Sequence, residues 1–168
     1  MKHLFRSFLV VATLAFTFVI PPVASQAADV SVTAANFKPG SGALFHTGIC
    51  GATVTAGQLI AISPSTGKFV LADANDVSLC KVIGISAHAA IDTQPLAVVY
   101  HADDCTLGAT LSMTAPVYVC SATAGGIAPA ADLSAGGLYP VVGIIAKSTT
   151  KCIVRFPAIT GSAVTVTE

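Results

Sequence analysis

Short apolar runs rich in β-branched residues recur along the chain, and several alternate apolar and polar positions as half-buried β-strands do. Clusters of Gly, Pro, Ser, Thr and Asp separate these runs and are typical of turns. The pattern predicts strands at GALFHTG (42–48), QLIAIS (58–63), PLAVVYH (95–101), PVYVCS (116–121), KCIVRFP (151–157) and SAVTVTE (162–168), with SVTAANF (31–37) as an entry arm. The single helical feature predicted after residue 27 is one turn at VSLC (77–80).

One order of features occurs twice, in residues 51–87 and 108–146. Each segment opens with Gly-Ala-Thr and ends on a similar apolar phrase, KVIGISA in the first and PVVGIIA in the second. We interpret the segments as two copies of one β unit that close around a shared core. Chance similarity within an Ala-, Gly- and Val-rich chain is the alternative. If the segments are copies of one unit, Gly84 and Gly143 should occupy equivalent places, because a glycine within a strand usually marks a bulge or a close approach of the backbone.

Strands at this spacing, with turns between them, favour a closed or two-layered sheet. The sequence therefore predicts an all-β fold, a compact β-barrel or β-sandwich built from the two duplicated β units. We expect residues 28–168 to form a single β domain, with residues 1–27 as a separate hydrophobic N-terminal segment.

Charged residues make up 10% of the 168 residues, whereas apolar residues make up 54%. Soluble domains average about 25% charged residues, so this chain is poor in charge. The eight Lys and Arg equal the eight Asp and Glu. Such a balance provides no field that would attract nucleic acid or an anionic membrane, and we expect neither as a partner of the mature domain.

The first 27 residues have the organisation of a secretory signal peptide. Lys2 and Arg6 precede the uncharged run FLVVATLAFTFVI (8–20), and Ser25 and Ala27 supply small residues before a cleavage point. The apolar run is too short to cross a bilayer as a stable helix. A hydrophobic arm that docks on a neighbouring subunit is the alternative interpretation.

Five cysteines follow this segment, at positions 50, 80, 105, 120 and 152. None forms a C-x-x-C pair, so the spacing predicts neither a zinc site nor a thioredoxin-like motif. In an exported protein two disulfides and one free thiol are possible, with no pairing determined by sequence. In a reduced compartment the cysteines would pack as small apolar residues of the core.

Several local patterns resemble catalytic or binding motifs but lack the surrounding residues that such chemistry needs. Gly67 and Lys68 lack the leading glycine and the following hydroxyl residue of a phosphate-binding loop, and we predict a hairpin turn. The segment GISAH (84–88) begins like the nucleophile motif of hydrolases, with Ser86 as the candidate nucleophile, yet neither the closing glycine nor a helix follows it. HADDC (101–105) gathers His101, two carboxylates and a thiol, and we expect a solvated turn rather than a metal site.

The remaining candidates, His46 and His88, are single residues beside apolar strands, and we expect them to be packed or exposed without a catalytic partner. No acid–base pair, activated nucleophile or ligand set is recognisable. The sequence therefore predicts a protein that is not an enzyme, with no catalytic, cofactor-binding or metal-binding residues and no cofactor.

The motifs TAGQ (55–58), ADAND (72–76), LGA (107–109) and AGGIAPAADL (124–133) occur in an order that resembles the capsid cement, or head decoration, proteins of tailed bacteriophages. The resemblance covers about residues 42–165. It implies a small β protein in the virion that binds the major capsid protein, bridges its subunits and stiffens the head against DNA pressure. Like subunits are an alternative partner, in a homo-oligomer for which we expect a trimer.

The signal-like residues 1–27 depart from that family, because a cement protein binds capsids in the host cytoplasm. Two hypotheses therefore stand after the sequence analysis. The first is a structural protein of the capsid surface, whose N-terminal segment is an arm. The second is an exported, secreted or periplasmic β domain of the cell surface or envelope, which binds a ligand or forms a surface layer.

Overall fold

The computed structural model describes residues 29–130 and 143–157. Nine β-strands and one 3-10 helix account for the regular structure of these residues. The helix spans Ala34–Asn36 in the entry arm, where the sequence analysis predicted no helix. The strands are β1 (Leu44–Ile49), β2 (Leu59–Ile62), β3 (Phe69–Leu71), β4 (Val82–Ser86), β5 (Pro95–Thr106), β6 (Val117–Cys120), β7 (Ile127–Pro129), β8 (Ile144–Ala146) and β9 (Lys151–Arg155).

All nine strands belong to one antiparallel sheet, which curls into a half-barrel. The strand order is β3-β2-β4-β5-β9-β8-β6-β7, and β1 pairs with β5 outside this path. The prediction of an all-β fold is confirmed. The turn predicted at 77–80 is also present, since the Cys80 N–H donates to the Asp76 carbonyl at 2.8 Å.

The two similar segments contribute the same arrangement of strands. Residues 51–87 supply the order β3-β2-β4, and residues 108–130 with 143–146 supply the order β7-β6-β8. In the first segment Leu59 pairs with Ile85. In the second segment Tyr118 pairs with Ile144, and each of these residues lies 59 positions after its counterpart in the chain. Gly84 and Gly143 each directly precede one of these paired isoleucines, although Gly84 lies within β4 and Gly143 lies just before β8.

The main core lies on the concave face and draws on both halves of the sheet. A Cβ atom at Gly84 would meet a methyl group of Val98 at 2.7 Å, so the glycine lets β5 approach β4. The main cluster buries side chains of both segments together with the long strand β5, among them Leu59, Ile85, Val99, Tyr118, Ile144 and Val154. These contacts bury the apolar face that each half could not bury alone.

A second, smaller cluster covers the convex face of the first half. Ile60 and Val98 pack there against Phe69, and the segments before β2 and β5 add Cys50, Val54 and Ala90. Both faces of β2 are therefore buried, which explains why QLIAIS is apolar along most of its length rather than strictly alternating. The predicted strand at 162–168, the segment 1–27 and the end of the second repeat at 131–142 lie outside the described residues.

Candidate interaction surface

The predicted turn at HADDC is wrong, because residues 101–105 continue strand β5. The register between β5 and β9 shifts between Ala102 and Cys105, where Asp103 and Asp104 lie opposite the single residue Ile153. Two residues opposite one form a β-bulge, which breaks the alternation of side chains. Ala102 and Cys105 consequently both point into the core, while the two carboxylates between them reach cations on the convex face.

Both carboxylates of the bulge pair with cations of the second half. Asp103 pairs with Arg155, and Asp104 pairs with Lys151 and, at 3.3 Å, with Lys147. The hydrogen bond from Arg155 lowers the pKa of Asp103, and those from Lys151 and Lys147 lower the pKa of Asp104. Five charged side chains of a charge-poor chain are thus concentrated around one bulge.

An aliphatic row lies beside these charges. Val117, Ile145 and Ile153 are cross-strand neighbours on β6, β8 and β9, and their side chains share the convex face. Ile145 remains 44% exposed, whereas the convex face of the first half is covered by the second cluster. We call the aliphatic row and the five charged residues around the bulge the convex patch. An apolar centre with a polar rim is the usual composition of a protein-binding surface.

Ser86, the candidate nucleophile, is fully buried at the end of β4. Its hydroxyl donates to the Thr55 carbonyl at 2.5 Å and accepts the Gln58 N–H at 3.0 Å. These bonds satisfy backbone groups of the turn before β2 that would otherwise be unpaired. The contacts of the side chain therefore assign Ser86 a role in holding this turn against β4.

The histidines make local contacts that orient the chain. The His88 ring accepts the Ala97 N–H on Nε2 at 3.2 Å, and its Nδ1 lies 2.9 Å from the Ala89 carbonyl. The His46 ring stacks on Tyr100 with the centroids 4.1 Å apart. Burial lowers the pKa of His46, and a hydrogen bond to the Pro157 backbone opposes that effect. His101 lies on β5 beside the bulge, opposite Leu44 and Arg155.

The Gly67-Lys68 pair forms the predicted hairpin turn between β2 and β3. Gly67 has a φ of 68°, and its N–H donates to the Ser63 carbonyl at 2.8 Å. The Lys68 ammonium pairs with Asp92 at 2.8 Å, so its charge already has a partner within the chain.

All five cysteines are free thiols, and four of them are buried. Cys105 and Cys152 face each other across β5 and β9, and their hydrogen bond together with burial raises the pKa of Cys105. Burial also raises the pKa of Cys120 to about 12. Cys80, in the turn before β4, is the half-exposed thiol.

Within residues 29–130 and 143–157, no three His, Cys, Asp or Glu side chains are grouped as a metal site. The same residues contain no helix with the length and hydropathy needed to cross a membrane. No protein-family model, curated protein or solved structure matches the chain.

Sequence reasoning missed the convex patch because its members come from β5, β6, β8 and β9, which only the tertiary pairing brings together. One local signal was present. In VVYHADDC the buried Ala102 and Cys105 are three positions apart, whereas a regular strand would bury every second residue. This break in the period marks the bulge.

Proposed function

We propose that this protein is a capsid cement protein, which binds an assembled phage shell and stabilises it. The observation that carries the proposal is the convex patch, where exposed Ile145 lies in an aliphatic row bordered by five charged side chains. The order of motifs over residues 42–165 supports the choice of a phage capsid as the assembly. The partners are then subunits of the major capsid protein, and the site of action is the capsid surface of the virion.

Cementing does not require a strong individual contact. Each copy can bridge neighbouring subunits, and many modest contacts over a shell raise the barrier to its rupture as linked sites raise avidity. The aliphatic row supplies area to bury, and the ion pairs around the bulge supply orientation more than affinity. A trimer of like subunits would multiply these contacts further. Nothing in this function requires turnover or a cofactor.

The test is to mix the purified full chain with capsid shells that lack decoration. We expect saturable binding at a fixed copy number per capsid hexamer, with greater resistance of the shell to heat. Replacing Ile145→Lys should weaken binding at least roughly tenfold, because a charge would be buried at the centre of the contact. Val77→Lys is the matched control, since Val77 is 69% exposed and lies on the turn before β4. Equal weakening by both substitutions, or no binding by the wild type, would overturn the proposal.

The signal-like residues 1–27 favour a second candidate function. In this function the protein would be an exported β domain of the cell surface or envelope, either secreted or periplasmic. The convex patch would then bind a ligand or form contacts within a surface layer. Intact-mass measurement of the native protein distinguishes the two functions. A mature chain that begins at Ala28 favours export, and an intact Met1 favours an arm that remains on a capsid protein.

A further inference from the structure

Cys105 and Cys152 face each other across the two central strands of the sheet. They are register partners on β5 and β9, and both side chains are fully buried in the main core cluster. Their two thiols are hydrogen-bonded to each other. The thiols of the other three cysteines instead donate to main-chain carbonyls within three residues, those of Ala52, Val77 and Ser121. Among the five cysteines, this pair is therefore the one placed sulfur to sulfur.

The β-bulge of β5 brings Cys105 opposite Cys152. On β9, Cys152 and Val154 both point into the core, as alternate residues of a regular strand do. On β5, Ala102 points into the core as well, so in a regular strand position 104 would follow it inward and position 105 would point outward. The extra residue of the bulge shifts this alternation by one position, and Cys105 consequently faces Cys152.

The backbone at this pair has the spacing that a disulfide needs. Thr106 exchanges two main-chain hydrogen bonds with Lys38, at 2.8 and 2.9 Å, so its backbone groups point away from β9. Because these groups alternate along a strand, those of Cys105 point toward β9 and make Cys105 and Cys152 a hydrogen-bonded pair. The Cα atoms of such a pair are about 5.5 Å apart, within the range of about 4.4 to 6.8 Å that disulfides require.

We propose that Cys105 and Cys152 form a disulfide while the chain folds in an oxidising compartment. The oxidant is another disulfide, which the thiolate of one cysteine attacks to form a mixed disulfide and release one thiol. The thiolate of the other cysteine then attacks the mixed disulfide and releases the second thiol. The two cysteines thus lose two protons and two electrons, and the oxidant gains both and becomes two thiols. This inference does not depend on the cement function.

The bond has to form before the pair is buried. Thiol–disulfide exchange needs a thiolate that the oxidant can reach. In the folded chain both thiols are buried, and their hydrogen bond together with burial raises the pKa of Cys105. We therefore expect rapid oxidation during folding and slow oxidation of the folded, reduced protein. Export, which the signal-like residues 1–27 favour, would supply the oxidising compartment.

The disulfide would join the two halves of the sheet covalently, because the halves meet where β5 pairs with β9. It would also close a loop that contains β6, β7 and β8. Closing a long loop restricts the unfolded chain and so stabilises the folded one. We expect the oxidised protein to melt at least about 5 °C above the reduced protein.

Refolding of the full chain in glutathione disulfide tests the proposal. The denatured, reduced chain is diluted into the oxidant, the remaining thiols are alkylated in denaturant, and the chain is cleaved after Lys and Arg. Cys152 then lies in peptide 152–155 and Cys105 in peptide 82–147. We expect mass spectrometry to find these two peptides joined. The folded, reduced protein should form the same link at least roughly tenfold more slowly.

Two variants identify the partner of Cys152, because peptide 82–147 also contains Cys120. Cys105→Ala should lose both the link and the rise in melting temperature on oxidation. Cys120→Ala is the matched control, since it replaces another buried cysteine of the same cluster and should keep both. A link that persists in Cys105→Ala would overturn the proposal. Alkylated Cys152 in the refolded wild type would overturn it as well, and this outcome requires no variant to fold.

Discussion

At the scale of single residues, the buried hydroxyl of Ser86 is bonded to the backbone of a neighbouring turn. It contacts backbone atoms of Thr55 and Gln58. The sequence does not indicate which residues contact this serine, because its partners lie 31 and 28 positions earlier in the chain. The absence of a nucleophile motif around Ser86 was recognisable from sequence, whereas its structural role required the tertiary pairing.

Gly84, within β4, allows a prediction about the free energy of unfolding. Gly84 has a φ of 156°, and a Cβ atom there would press on the Val99 carbonyl and on Val98. We expect Gly84→Ala to lower the free energy of unfolding by about 3 kcal/mol, through backbone strain and displacement of β5. Urea denaturation of the two proteins measures the difference.

Gly67→Ala is the matched control for that substitution. Gly67 also has a positive φ, of 68°, but a Cβ atom there would meet nothing within 4 Å. The control should cost about 1 kcal/mol, the strain of a left-handed alanine alone. Equal losses for the two variants would mean that close approach of β5 contributes nothing at Gly84.

At the scale of elements, the bulge of β5 shows where local composition misleads. His101, Asp103 and Asp104 are typical of a turn, yet β9 pairs with this segment and its cations neutralise both carboxylates. Tertiary pairing therefore overrides local propensity. Most other strands within the described residues were predictable, because burial of one face imposes a visible period on the sequence.

The ion pairs of the bulge predict a specific pH dependence. The pKa of Asp104 is lowered in the folded protein, so its contribution to stability is present above the ordinary carboxyl pKa of about 4 and is lost as the pH falls through the lowered value. We expect Asp104→Asn to destabilise the protein slightly at pH 7 and to reduce the loss of stability on acidification. Thermal melts between pH 7 and pH 2 measure both effects.

High salt provides the control for the titration. At about 1 M salt the Debye length is about 3 Å, so the pairs between half-exposed Asp104 and its lysines should be weakened by screening. The difference between wild type and Asp104→Asn should then become smaller at pH 7. A difference unchanged by salt would show that the substitution acts through packing or backbone contacts instead.

At the scale of the whole molecule, the two halves of the sheet share one core. Leu59 and Ile85 of the first half and Tyr118 and Ile144 of the second are buried in the same cluster. The two halves meet where β5 pairs with β9, and β5 also pairs with β1 and β4. The two similar segments therefore form two half-sheets whose apolar faces are buried in one cluster, and we expect each half to depend on the other.

This dependence predicts a single cooperative unfolding transition. Native-state hydrogen exchange should give the same opening free energy for the slowest amides of β2 and β4 as for those of β6 and β8, because neither half retains a core when the other opens. Val154→Ala, which removes two buried methyl groups from β9 at the centre of the sheet, should lower both values together by about 2–3 kcal/mol. A lower opening free energy in one half, with the other unaffected by Val154→Ala, would instead identify the repeated segments as independently folding units.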